Sequence, residues 1–147
     1  MAITHTAPNK ILLNGGPDPV IVNDIACSEA ITPGMLVEKF NNGGIIRYRK
    51  STRTGLRNTA FALDMPMQNK GIDDASAAND LIEVVIANEG DSIYALIASG
   101  ANIAAGARLT DAGNGYLKAV GSDEPCAEAL ENVNATVTPT RIRVEVV

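Results

Sequence analysis

The sequence predicts an all-β protein: a compact β-barrel, tulip-like or sandwich domain of about eight or nine short strands over residues 21–147, behind an extended N-terminal arm over residues 1–20. Three observations carry this. Short apolar runs recur along the chain, broken by Gly, Asn, Pro and Asp, and none has the 3.6-residue period of a long helix. Asn and Gly cluster between the runs, where tight turns need positive φ. The last stretch alternates strictly, with Ile142, Val144 and Val146 on one face and Arg141, Arg143 and Glu145 on the other.

The elements follow in order. Residues 1–20 combine Pro8, Pro17 and Pro19 with Gly15-Gly16, which suits an arm better than a packed element. The runs 35–40 and 45–49 flank Asn41-Asn42-Gly43-Gly44 and read as a hairpin. Ala60 to Leu63 is a strand stopped by Asp64 and Pro66, and 71–80 reads as a loose loop or one helical turn. Runs 81–87 and 92–98, joined by Asn88-Glu89-Gly90-Asp91, are expected to form a second hairpin, buried on both faces at the centre of the core. Residues 102–109 give a turn and a strand, and Asn114-Gly115 reverses the chain into 116–120 as another hairpin. Run 126–133 alternates, but Ser122-Asp123-Glu124-Pro125 also resembles a helix start; a strand is preferred.

Composition narrows the function. With 147 residues, 46% hydrophobic and 20% charged, the chain fits one globular domain. Twelve basic against 17 acidic side chains, a net charge of -5 and a pI near 4.8 disfavour a basic nucleic-acid module. Aromatics are only 3%, so the core must be Val, Ile, Leu and Ala, and platforms for stacking bases are few. No window approaches the ~18 apolar residues of a membrane span. The start lacks a signal peptide's basic and apolar regions, so synthesis in a reducing cytosol is expected.

Chemistry is hard to find. Cys27 and Cys126 lack Cys-x-x-Cys spacing and read as buried or inert thiols, and His5, the one histidine, reads as a solvated arm residue. Neither a nucleophile with its base, nor a calcium loop around Asp73-Asp74, nor a phosphate loop at the glycine pairs is evident, so no enzyme and no cofactor are expected. The competing reading is a small barrel enzyme or ligand-binding module using Asp73, Asp74, Asp91 and Arg108.

The charge pattern stands above background. Arg47, Arg49, Lys50, Arg53 and Arg57 put five of the 12 basic residues in the window 47–57 without an acid, while 64–91 holds seven acids against Lys70 alone. Edge strands often carry such cations merely to block pairing. The functional reading is a basic surface that meets an acidic one on a sister subunit or larger partner. Ile11, Leu12 and Leu13 in the arm are further candidate contacts, since an extended arm can add a strand to a partner's sheet edge.

In this order the chain resembles the head-decoration, or capsid cement, proteins of tailed bacteriophages. The matching stretches are Ile31-Thr32-Pro33-Gly34-Met35-Leu36-Val37-Glu38, Ala60-Phe61-Ala62-Leu63-Asp64 with Gly71-Ile72-Asp73-Asp74, and Gly90-Asp91-Ser92-Ile93-Tyr94-Ala95-Leu96-Ile97-Ala98. Further on come Gly106-Ala107-Arg108-Leu109, Asn114-Gly115-Tyr116-Leu117-Lys118-Ala119-Val120 and Arg141-Ile142-Arg143-Val144-Glu145-Val146. The resemblance covers residues 30 to 147; the first 30 depart from it. It implies a protein made in the host cytoplasm that sits on the outer capsid surface of the mature expanded head, usually as a homotrimer. There it would clamp major capsid protein subunits, with no enzymatic activity and no nucleic-acid or membrane partner. Other virion roles in tail, head completion or fibre base are the alternative.

Overall fold

The computed structural model describes residues 7–16, 19–135 and 139–147. Among these the chain is all-β. Thirteen strands run in the order β1 (Leu12–Asn14), β2 (Val20–Ala26), β3 (Val37–Asn42), β4 (Ile45–Lys50), β5 (Ala60–Ala62), β6 (Leu81–Ile86) and β7 (Ser92–Ile97), then β8 (Ala101–Ile103), β9 (Arg108–Asp111), β10 (Leu117–Ala119), β11 (Ala127–Ala129), β12 (Val133–Ala135) and β13 (Thr140–Val146). One turn of 3-10 helix, Pro66–Gln68, interrupts the long loop after β5.

Five strands close into a barrel in the order β7-β10-β9-β11-β13, with β13 returning to pair antiparallel with β7 over six residues. The β7–β10 contact is the parallel seam. Barrel diameter grows with strand number, so a ring of only five strands has little interior room. Small or medium side chains fill it: Ala95, Ala127, Ala129, Cys126, Ile93, Ile97, Leu109, Ile142, Val144 and Val146 are all buried in one cluster. That is the physical sense of the low aromatic content.

A second layer lies against the barrel. The sheet β2-β6-β5 and the hairpin β3–β4 enclose another core of Tyr48, Val37, Cys27, Ile31, Met35, Ile82, Val84 and Leu96. Strand β6 is buried on both sides, since Val85 joins the barrel core while Ile82 and Val84 join the second. The β3–β4 hairpin forms as expected: Asn42 pairs with Ile45, and Gly43 (φ 64) and Gly44 (φ 95) make a two-residue turn that needs left-handed backbone at both positions.

Two expectations change. Strands β6 and β7 do not form a hairpin with each other, because β6 pairs with β2 and β5 while β7 pairs with β13, β10 and β1. The turn between them instead moves the chain from one sheet to the other. Its buried Asp91 carboxylate accepts from Asn88 N (2.9 Å) and Gly16 N (3.0 Å), and Val146 N donates to the Asp91 carbonyl (2.9 Å). Secondly, residues 12–14 of the expected arm form β1 on the edge of β7, with Ile11 wholly buried in the barrel core. Residues 1–6 and 17–18 of that arm lie outside the described residues. Of the two forms expected for 71–80 the loop is the one present: Ser76 bridges to Ile31 and Asp74 accepts from Gly71 N at 2.7 Å.

Candidate interaction surface

The basic window occupies β4 and the loop that joins it to β5. The hairpin register places Glu38 of β3 opposite Arg49 of β4. There the Glu38 side chain, only 8% exposed, collects three donors, Arg49 Nε at 2.9 Å, Thr52 Oγ1 at 2.6 Å and Thr52 N at 3.1 Å, and forms an ion pair with Arg53 Nε at 3.4 Å. Burial pushes this carboxyl upward, but hydrogen bonds from Thr52 and Arg49 outweigh it and hold the group below the ordinary glutamate range. Arg49 also lies over the Phe40 ring at 4.5 Å.

The rest of the window is tied down as well. Lys50 Nζ sits 3.8 Å from Glu29, and Arg57 donates to the carbonyls of Val147 and Pro125. Arg47, bonded at 2.9 Å to the neutral Asn79 side chain, and Arg57, whose guanidinium meets backbone oxygens, have no acidic side chain as a partner among the described residues. The five cations share one region, but most of them brace the fold.

The loop 51–59 is pinned from beneath. Asp111, fully buried, accepts from the Ser51 hydroxyl, from Gly113 N at 2.7 Å and from Asn58 Nδ2 at 3.5 Å. Desolvation raises its carboxyl above the ordinary aspartate range despite those bonds, and the nearby Glu38 charge adds to the rise. Gly55 N donates to the Asp111 carbonyl at 2.8 Å, and Glu124 N returns a bond to Gly55 O. Glu38 and Asp111 were not singled out from the sequence. Glu38 was detectable, because the Gly43-Gly44 turn fixes a register that sets it against Arg49.

The remaining candidates are dispersed. Ile11 is a core residue, which corrects its assignment as a contact; Leu12 is half-buried against the same core, and Leu13 is half-buried beside it. Asp73 is exposed and pairs with Arg141 at 3.4 Å, Asp74 closes its own turn, Asp91 braces the sheet-switching turn, and Arg108 is an exposed strand residue. None of these four lines the groove beside β3 or the depression around residues 98–103 and 118–119. Among the described residues no three His, Cys, Asp or Glu side chains are placed to hold a metal ion. His5 lies outside the described residues. Cys27 and Cys126 are buried free thiols, and burial pushes the Cys126 thiol up to about 11.

What is exposed is apolar as well as basic. Ile45 and Ile46 at the hairpin, Val20 and Ile21 on the outer strand β2, and Leu56 on the 51–59 loop are all exposed. A groove of about 450 Å³ opens where β3 and β5 part.

No protein family matches the sequence, and no curated protein does. Among solved structures the fold is similar to that of the head fiber gp8.5 N base in bacteriophage phi29, with a TM-score of 0.58 and 12% identity over 88% of this chain and 95% of that one. At this identity the likeness is one of fold.

Proposed function

We propose that this protein is a structural component of a tailed-phage virion that binds the outside of the mature head and stabilises contacts between major capsid protein subunits. The observation that carries the reading is the fold shared with a phage head-fibre base along nearly the whole of both chains. The candidate surface is consistent with it: polar and apolar groups lie on sheet edges and loops, and the acids considered for catalysis are scattered. A ligand that binds only the expanded shell stabilises that shell by RT ln(1 + [L]/Kd), about 2.7 kcal/mol per site at a hundredfold excess over Kd. Bridging two or three shell subunits adds avidity, so each contact can be modest. A homotrimer on the outer capsid surface, with no enzymatic activity, completes the proposal.

The test mixes purified protein with undecorated expanded heads and with unexpanded ones. Binding to the expanded form alone is expected; equal binding to both, or none, overturns the reading. The fold shared with a head-fibre base favours a second reading, the base module of a head fibre. Phage lacking the protein separates the two: cement loss gives heads that break at lower temperature, whereas loss of a fibre base leaves sturdy heads without the appendage.

A further inference from the structure

We propose that the groove between β3 and β5 is a docking site for an extended, acidic segment of a partner protein, which adds as a strand to the outer edge of β3. Three features of the chain converge on it.

The first is an open sheet edge. Ser51 N donates to Leu36 O, and the register advances residue by residue, so the hydrogen-bonded pairs of the hairpin are Glu38–Arg49, Phe40–Arg47 and Asn42–Ile45. The N–H and C=O groups of Val37, Lys39 and Asn41 therefore point away from β4. The Val37 carbonyl is taken by Asn58 Nδ2 at 3.1 Å. Beyond it no backbone partner serves Lys39 or Asn41 among the described residues.

The second is space beside that edge. Strands β3 and β5 touch at the Leu36–Phe61 bridge and then diverge. The resulting groove, about 450 Å³, has residues 37–39 on one wall, 58–60 and Ile86 on the other, and Arg53 and Arg57 among its lining. An added strand runs about 4.8 Å from its neighbour, the spacing at which a segment lying along the groove would meet the open β3 edge.

The third is charge. Glu38 is the one acid lining the groove, and its carboxylate is already held by Arg49, Arg53 and Thr52. Lys39 is exposed and has no acidic side chain as a partner among the described residues, whereas the Arg57 guanidinium is occupied by backbone oxygens of Pro125 and Val147 and its N–H by the Glu124 carboxylate at 3.2 Å. The rim is left positive. A lysine on an edge strand discourages a cationic or plain apolar edge, yet it attracts a strand whose alternate side chains are acidic. The docking site goes beyond the head-attachment reading and stands without it, because the test below uses no phage particle.

The experiment is residue-resolved amide hydrogen exchange of the full chain with a blocked peptide alternating valine and glutamate, and with the same peptide carrying lysine for glutamate. The glutamate peptide should slow exchange at Lys39 and Asn41 by about tenfold or more, leaving Glu38 and Phe40, already bonded to β4, unchanged. The lysine peptide should protect neither. Lys39→Glu should weaken the glutamate peptide by about tenfold and admit the lysine peptide. Asn41→Pro, which removes an outward N–H together with the side-chain oxygen that accepts from Gly44 N in the turn, should abolish binding while the Glu38 and Phe40 amides stay protected. No protection at saturating glutamate peptide, protection without the alternate pattern, or equal response to both peptides overturns the proposal; these readouts on the unmodified chain decide it even if a variant fails to fold.

Discussion

Replacing Glu38 by Gln tests whether the basic window is braced from within. The substitution keeps shape and one acceptor but removes the charge and sets an amide N–H₂ against donors from Arg49, Arg53 and Thr52. Charge-assisted hydrogen bonds contribute roughly 1.5–3 kcal/mol each when buried. The arginine side chains are 38% and 55% exposed, so both can turn to water and recover part of that loss. A net destabilisation of about 2 kcal/mol follows, or a fall in Tm of about 4–8 °C for a domain of this size.

The pH dependence sharpens the test. Hydrogen bonds hold the folded Glu38 carboxyl below its ordinary value, against the upward push of burial. Its stabilisation is therefore fully present above the unfolded pKa of about 4.3 and is lost as pH falls through the depressed folded value. Thermal melts of the original and Glu38→Gln proteins should differ by the full amount near about pH 7, and the gap should narrow progressively as pH falls below the unfolded glutamate value. A variant melting within about 1 °C of the original at neutral pH, or a gap unchanged in acid, refutes the bracing role.

Asp111 should behave with the opposite sign. Its carboxyl is raised by burial, so its contribution is complete below the ordinary aspartate range and is lost as pH rises through the folded value; Asp111→Asn should flatten that arm of the stability profile, read by urea unfolding across pH. Arg141→Ala should cost about 2–3 kcal/mol, because the nearly buried guanidinium binds the carbonyls of Pro33 (2.7 Å) and Ile72, whereas Asp73→Ala, at a side chain 87% exposed, should stay within about 0.5 kcal/mol by the same unfolding assay. Gly34→Ala should strongly destabilise, since φ is +92° and a Cβ would sit 2.5 Å from Arg141 Nη1 and 2.9 Å from Tyr94 O; circular-dichroism melts provide the check. Neither thiol should react with a disulfide reagent at mildly alkaline pH until denaturant is added, since both are buried and their pKa values are raised by burial.

Local features of the fold were legible because their causes are local. The β3–β4 hairpin follows from Gly43-Gly44, the β9–β10 hairpin from Asn114-Gly115, and β13 from its alternation. The inward face of β13 carries Ile142, Val144 and Val146, as the period demands. Strands β1 and β2 were not legible. Strand β1 is three residues long and lies among glycines and prolines, and β2 exposes Val20 and Ile21 on an outer strand, so neither has the pattern of a half-buried element. The acid of the candidate surface was hidden by reading 47–57 as a linear window: the charge that neutralises it comes from across the hairpin, nine residues or more upstream.

The sheet switch after β6 marks the deeper reason that topology escapes a single sequence. Turn chemistry at Asn88-Glu89-Gly90-Asp91 says that the chain reverses, but it cannot say whether the two flanking strands then share hydrogen bonds. That is decided by competition for the edges of β7, where β13 offers six residues of antiparallel register on one side and β1 and β10 divide the other. Once β13 holds that edge, β6 gains more by pairing with β2 and β5 and burying both of its faces between two cores. The same competition leaves β3 with β4 on one side only, and an open β3 edge beside a positive groove is the consequence on which the docking proposal rests.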